Sequence, residues 1–379
     1  MRKLLVSQLK PGMVVGRSVV SLSGAILLRS GVRLSEALIG HLKEKGIPAL
    51  YISQEDELLE APVEDVVSEE SRRYARVAIQ EVMTSVKQEL ETGRAASVAG
   101  VHEAKVQNIT QELVDQIVTN RELTLNMSDI RGKDDYTFAH SVHVGIMAIM
   151  TGISLGYDQT RLRDLGVGAI LHDIGKVKIP TGIANKVGKL TPEEFEVMKT
   201  HAEAGFEILR RQFDFSVLSA HVAFQHHERH GGQGYPRGLS GDQIHEFGRI
   251  VAVVDAYDAL TCDRPFRPGY LPHEAAEMLY GAGDFLFEYR IVKAFLDNVA
   301  LYPVGSVVEL SDGTKGVVVE ASKLLVTRPK IRLLWDPEGN QMRPPVEISL
   351  LDHPTLLVTR VFAPQTEAGG EGLPQGLRA

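Results

Sequence analysis

Apolar side chains recur at spacings of three and four through the middle of the chain, and titratable side chains keep step with them. Leu162, Leu165 and Ala169 lead to His172, and Tyr136 and Met147 bracket His140 and His143. Met198, Gly205 and Ile208 accompany His201, while Val251 precedes Asp255 and Asp258. On a helix such spacings gather side chains on one face. Residues 128–300 are therefore predicted to form a helical bundle whose inward faces carry histidine and aspartate. Asp173 is expected about a hundred degrees round its helix from His172.

The flanks have other rhythms. In residues 1–60 the run RSVVSLSGAILLRSG sets two β-branched and aliphatic stretches around Ser23-Gly24, a hairpin signature. Ser35 then starts a helix with Leu38, Ile39 and Leu42 on one side, ended near Gly46 before the strand-like ALYIS. A βαβ-like α/β module results, with packing or docking as its expected role because it clusters no catalytic residue types. Residues 61–127 turn polar and helical, with Tyr74, Val77, Val82, Val86 and Leu90 in one stripe and Val106, Ile109, Leu113 and Ile117 in another. These predict two connector helices packed on the bundle; the stripes, broken at Thr92-Gly93, are too short to establish a dimerising or signal-transmitting pair. Residues 301–362 change to Val-rich runs around Asp312-Gly313, followed by Trp335 and Pro344-Pro345, which predicts a small β barrel or sandwich. Residues 363–379 are too rich in Gly, Pro and polar groups to pack and are expected to be a disordered tail. The fold class is thus mostly α, a helical bundle flanked by a small N-terminal α/β module and a small C-terminal β domain.

At 379 residues the chain exceeds what one hydrophobic core usually supports. With 44% hydrophobic and 24% charged residues it reads as an ordinary soluble globular protein. A net charge of -8 disfavours a broad nucleic-acid-binding surface, so a phosphate-bearing ligand would need local charge from metal or arginine. The single cysteine, Cys262, excludes an internal disulfide and suits a reducing cytoplasm. The opening MRKLLVSQLKPGM has Pro-Gly where a signal peptide would need a longer apolar core. The most apolar run, Val144 to Leu155, is well short of the roughly 20 residues of a membrane span.

One inward histidine is most often a hydrogen-bonded core residue. Five of the 13 histidines, His140, His172, His201, His226 and His227, together with Asp173 and Asp255, are a different matter. Burying so many ionisable groups without a cation costs solvation that nearby basic residues do not repay. The seven side chains therefore make a candidate site for two metal ions. Imidazole and carboxylate without thiolate favour Fe, Mn or Zn and disfavour a structural zinc site. Two ions about 3.5 to 4 Å apart suit phosphodiester cleavage, since they can share a bridging hydroxide as nucleophile and bind the phosphoryl oxygens. Lys176, three residues after Asp173, is placed to steady the phosphate or protonate the leaving alkoxide.

The stretches DDYTFAHS, LHDIGKVKIP, KTHAEAG, HHERHGGQGYP and VVDAYDALTCDRPFR together resemble the HD-GYP family of metal-dependent phosphodiesterases. The resemblance implies an HD-superfamily bundle in which one ion is held by His140, His172, Asp173 and Asp255. The other would take His201, His226 and His227, with Asp173 bridging. Members that bind a third metal carry a glutamate where this chain has Tyr136, so two ions are implied, Fe or Mn first and Zn as the further option. Lys176 belongs to the family's signature, which makes Asp173 and Lys176 the implied catalytic pair. Tyr235 lies in the GYP motif, associated with the substrate mouth and with contacts to diguanylate cyclase partners. Arg264 and Arg267 match positions used against guanine or phosphate of cyclic di-GMP, chemistry that guanidinium serves by bidentate hydrogen bonding and stacking. The implied protein is a cytoplasmic cyclic di-GMP phosphodiesterase yielding pGpG and, on further cleavage, GMP.

Two positions depart from the family pattern. Gly231 stands where an acidic residue or asparagine is usual, which is expected to loosen the loop and remove a supporting hydrogen bond. His143 stands where asparagine is common, one turn from His140, and either packs or reaches the substrate or a metal-bound water. Two rival readings follow: an HD hydrolase acting on another cyclic dinucleotide or nucleotide, and a low-activity adaptor that binds cyclic di-GMP or a cyclase domain. Oligomeric state is left open, a homodimer included.

Overall fold

The computed structural model describes residues 2–16, 19–20, 26–45, 47, 49–53, 65–92, 99–125, 136–186, 188–212, 215–262 and 269–362. The predicted turn at Ser23-Gly24, the break after Thr92, the two arginines Arg264 and Arg267, and the tail 363–379 lie outside these residues, as does the side chain of Tyr136.

The N-terminal module pairs β1 (Arg2–Leu5) and β2 (Val14–Val15) with β5 (Ala49–Ser53), while β3 (Val19–Val20) pairs with β4 (Ile26–Leu28). Every pairing among the described residues is antiparallel, so the module is α/β but shows no parallel βαβ crossover within them. Its helix α1 (Glu36–Glu44) starts where Ser35 accepts a hydrogen bond from the Leu38 amide at 3.3 Å, a side-chain N-cap. Leu4, Val15, Ile39, Leu42 and Leu50 fill a core of its own.

The two connector helices, α2 (Glu69–Thr92) and α3 (Ala99–Thr119), share one core with the bundle that follows. In α2 the buried apolar positions are Ala75, Ala78, Ile79, Val82, Met83 and Val86, again spaced by three and four. Tyr74, expected in that stripe, is 52% exposed. The small Ala75 and Ala78 take the inward face and let the helix approach closely, and Tyr74 is turned outward. Helix α4 (Tyr136–Ser154) is buried along Val142, Val144, Ile146, Met147 and Ile149, at the centre of the body. By length and apolarity α4 would qualify as a membrane span, but 78% of that stretch is buried inside the protein.

Helix α4 packs against α5 (Gln159–Ile170), α9 (Glu246–Thr261) and α11 (Tyr289–Leu296); α8 (Val217–Gln225) lies against α5, α9 and α7 (Pro192–Gln212), α10 (Pro272–Gly281) lies against α9 and α11, and the short α6 (Thr181–Ala184) comes between α5 and α7 in the chain. Helix α5 ends at Ile170, so His172 and Asp173 occupy a turn that leads into a 3-10 turn, Ile174–Lys178. The expected helical relation between the two is replaced by this turn, which lets neighbouring residues aim at one point.

The C-terminal strands form one antiparallel sheet ordered β10-β6-β7-β8-β9, from β6 (Val307–Leu310), β7 (Lys315–Glu320), β8 (Lys330–Trp335), β9 (Gln341–Ser349) and β10 (Val358–Phe362). The order is open, with β9 and β10 at its edges, where a closed barrel or paired sandwich was expected. Pro344 and Pro345 are tolerated because β9 is an edge strand with a register shift opposite Leu333 and Trp335. Lys323 donates to the Asn298 side chain at 2.7 Å and joins the sheet to the helical body.

Candidate metal centre

Three helices and two turns deliver the predicted ligands to one place. His140 comes from α4, His172 and Asp173 from the turn after α5, His201 from α7, His226 and His227 from the end of α8, and Asp255 from α9. The donor atoms fall into two groups whose members lie within 4.8 Å of one another: Asp173, His201, His226 and His227 in one, and His140, His172 and Asp255 in the other. Asp173 joins them, its Oδ2 3.4 Å from His172 Nε2 and its Oδ1 3.5 Å from His201 Nε2.

The close approach depends on glycine. A Cβ on Gly175 would lie 1.9 Å from the His201 carbonyl oxygen and 2.5 Å from the Gly205 amide nitrogen. Only backbone fits there, and this contact brings the turn that bears Asp173 against α7 beside His201. Gly234 is constrained in the same way, with the His227 carbonyl and the backbone of Glu228 within about 2.5 Å of its would-be Cβ.

The imidazoles are aimed by their far nitrogens. The Nδ1–H of His172 donates to the Ala169 carbonyl at 2.7 Å, that of His201 to Met198 at 2.6 Å, and that of His226 to Ala223 at 3.0 Å. With Nδ1 committed to backbone oxygen, each Nε2 presents a lone pair inward. His201 Nε2 and His226 Nε2 then stand 3.3 Å apart. Two lone pairs at that distance repel unless a cation sits between them and their neighbours. Burial first, then the other imidazoles, holds His226 well below its usual range, and His227 is pushed down to about 3. These rings are neutral, the form that binds metal.

His140 is oriented by a carboxylate instead. Its Nδ1 meets Asp258 Oδ2 at 2.7 Å while its Nε2 faces Asp255 Oδ1 at 3.2 Å. Burial works to lower it, but Asp255 and Asp258 outweigh that and raise it to about 9, so a proton holds the positive charge between the two acids. Asp258 is fully buried, and its Oδ1 lies 3.5 Å from His143 Nδ1. His143 thus packs against Asp258 behind the site.

Burial would raise Asp173, yet Lys176 and His172 overcome it and keep the carboxyl well below the usual range. Lys176 Nζ donates to Asp173 Oδ2 at 2.5 Å, and its side chain is 36% exposed. Asp173 Oδ1 is buried and has no hydrogen-bond partner among the described residues. An ionised, orphaned carboxylate oxygen ringed by imidazole lone pairs fits divalent cations.

The glycine-rich loop is tied down on both sides. His230 and Gly231 amides donate to the Leu286 and Phe285 carbonyls at 3.0 and 2.8 Å, and the Gly241 amide to His230 at 2.9 Å. A Cβ on Gly231 would lie 2.8 Å from the Phe285 carbonyl oxygen. The expected loosening is therefore corrected: glycine here permits a backbone approach that pins the loop. Glu228, buried, accepts from the Arg237 and Leu239 amides at 2.9 Å each and closes the loop over Tyr235. Tyr235 stacks on His227 with ring centroids 4.6 Å apart. Arg264 and Arg267 fall outside the described residues.

The sequence reading gave no role to Glu228 or Asp258. The signal for Asp258 was present, because it shares the α9 face with Asp255; Glu228, at a helix end before a loop, carried no periodicity.

Residues 114–284 match the model of the HD domain, and residues 307–369 that of a KOW domain associated with the HD domain. A cyclic di-GMP phosphodiesterase of Pseudomonas aeruginosa is 30% identical over 358 residues, covering 88% of this chain and 85% of the relative. A cyclic di-GMP phosphodiesterase of Thermotoga maritima is 39% identical over 165 residues, 43% of this chain and 45% of its own length. A 3'3'-cGAMP-specific phosphodiesterase of Vibrio cholerae is 32% identical over 188 residues, 49% of this chain and 36% of its own. The chain thus spans less than half the length of the last two relatives. Near-full-length similarity to the Pseudomonas enzyme, carried by a helical core that gathers His140, His172-Asp173, His201, His226-His227 and Asp255, means that this chain belongs to the HD-GYP family, the metal-dependent phosphodiesterases of the HD superfamily.

Proposed function

We propose that the protein hydrolyses cyclic di-GMP in the cytoplasm, opening the ring to pGpG and cutting the second bond to give GMP. The observation that carries this reading is the pair of donor groups joined at Asp173, an arrangement for two divalent cations, Fe or Mn. Bound there, such ions supply a water acidic enough to ionise near neutral pH and charge to offset that gathering on the phosphoryl oxygens. His140, His172, Asp173 and Asp255 would hold one, and His201, His226 and His227 would hold the other, with Asp173 common to both groups.

The chain's own groups do the rest. Lys176, bonded to Asp173 yet partly exposed, is the one ammonium described within hydrogen-bond distance of the cluster, so it meets a phosphoryl oxygen and protonates the departing alkoxide. Tyr235, tied through its amide to the His227 carbonyl at 3.2 Å, walls the cluster and excludes water from one side. Arg264 and Arg267 contribute guanidinium to guanine or phosphate, and the GYP loop offers the surface for a diguanylate cyclase domain.

The Vibrio relative specific for 3'3'-cGAMP favours one second reading, a mixed cyclic dinucleotide as substrate. Anaerobically prepared protein loaded with Mn or Fe(II), given cyclic di-GMP, 3'3'-cGAMP and cyclic di-AMP in competition, separates the two by product chromatography. Preferential formation of pGpG is expected. Full metal occupancy with no cleavage of cyclic di-GMP would reject the proposal.

A further inference from the structure

Next to the cluster an aromatic side chain is exposed where folding alone gives it no reason to be. Phe195, on α7 six residues before His201, is 44% exposed. Its ring meets Tyr235 edge-on at 6.1 Å between centroids and 84° between planes. Tyr235 in turn stacks on His227 at 4.6 Å. A line of rings therefore runs outward from a cluster imidazole, through a half-buried tyrosine, to a phenyl face open to solvent.

Lys199 completes the arrangement. One helical turn from Phe195, its Nζ lies 5.1 Å from the Phe195 ring centre and 5.8 Å from that of Tyr235. Its carboxylate partner is Glu196 at 2.6 Å, whose side chain is 70% exposed. The Lys199 side chain is itself 29% exposed, and a pair open to solvent on its carboxylate side contributes little stability, so the ammonium can be drawn to a ligand at small cost.

We propose that Phe195 and Lys199 form a purine subsite that selects guanine, with the base stacked on Phe195 and its O6 and N7 edge toward the Lys199 ammonium. The inference rests on the cyclic dinucleotide reading above and names which side chains would read one base. A phosphodiester seated at the cluster must send its bases outward, and Phe195 is the exposed aromatic in direct ring contact with Tyr235. Stacking on an aromatic ring is indifferent to base identity. Discrimination comes from the ammonium: guanine offers two acceptors on that edge, whereas adenine places an amino donor beside N7.

Steady-state kinetics of the metal-loaded full chain test this. Phe195→Ala should raise KM for cyclic di-GMP by about tenfold to a hundredfold with kcat and metal content unchanged, as loss of one base stack predicts. Phe195→Trp should restore KM, which a packing role would not allow. Lys199→Glu should lower the preference for cyclic di-GMP over cyclic di-AMP, as the ratio of kcat/KM values, by about tenfold or more. Unchanged KM in Phe195→Ala, or kcat and metal content falling together with no rescue by tryptophan, overturns the subsite. An unchanged preference ratio in Lys199→Glu overturns the guanine assignment. Failure of the unaltered protein to cleave cyclic di-GMP instead removes the substrate reading, and this inference with it.

Discussion

Asp173 sits where two sets of imidazole nitrogens meet, and its unpartnered Oδ1 makes it the residue least able to tolerate change. Asp173→Ala should abolish turnover and strip both ions, measured by elemental analysis beside activity; retention of both ions would show that it does not bridge. Asp258 acts one step back, through the Nδ1 of His140. Asp258→Asn should weaken binding of the ion on the His140 side by about 10- to 100-fold while sparing the His201 side. Equal weakening of both in a metal titration would contradict that role. His140 also sets a pH dependence. Its folded value, about 9, lies above its usual 6.5, so in metal-free protein the stabilisation is complete below about 6.5 and is lost as pH rises through about 9. A cation on this side must displace that proton, so binding at pH 7.5 should release about one proton more than binding above pH 9. Calorimetry in buffers of different ionisation enthalpy measures the difference, and equal release at both would refute it.

At the scale of elements, the ligands converge because backbones touch. Gly175→Ala would drive a methyl group into the His201 carbonyl and push the Ile174–Lys178 turn away from α7. It should cost roughly 1–3 kcal/mol or more of stability and lower metal affinity together, read as melting temperature with and without Mn. An unchanged melting temperature would show that the two backbones part freely. This contact also marks what the sequence made legible. The stripes through His201 and Asp255 placed those residues inward because period and burial agree over whole helices. The end of α5 at Ile170 was not legible, since a turn that keeps His172 buried leaves the same spacing as a continuing helix. Nor was the pinning of Gly231, which depends on carbonyls of Phe285 and Leu286 more than fifty residues away. In α2, aromatic and aliphatic size suggested Tyr74 as an inward residue, but close helix packing chose Ala75 and Ala78.

For the whole molecule, the cores are separate where it matters. The N-terminal module closes its own core around Val15 and Leu50, while α2 and α3 add theirs to the bundle that holds the cluster. Scanning calorimetry should therefore show Mn raising the transition of the helical body and leaving that of the N-terminal module in place. Equal shifts of both would mean that they unfold as one. Both connector helices, read from sequence as packing elements, lie against α4, and α2 also meets the turn bearing Lys176.

The proposed chemistry rests on seven side chains that would hold two cations with Asp173 between them. The most direct test counts bound Mn or Fe per chain in anaerobically reconstituted protein and in three single variants. Two ions are expected in the unaltered chain, one after either Asp255→Ala or His227→Ala, and none after Asp173→Ala. A single ion at saturation in the unaltered chain, or two that survive the loss of Asp173, would contradict the account.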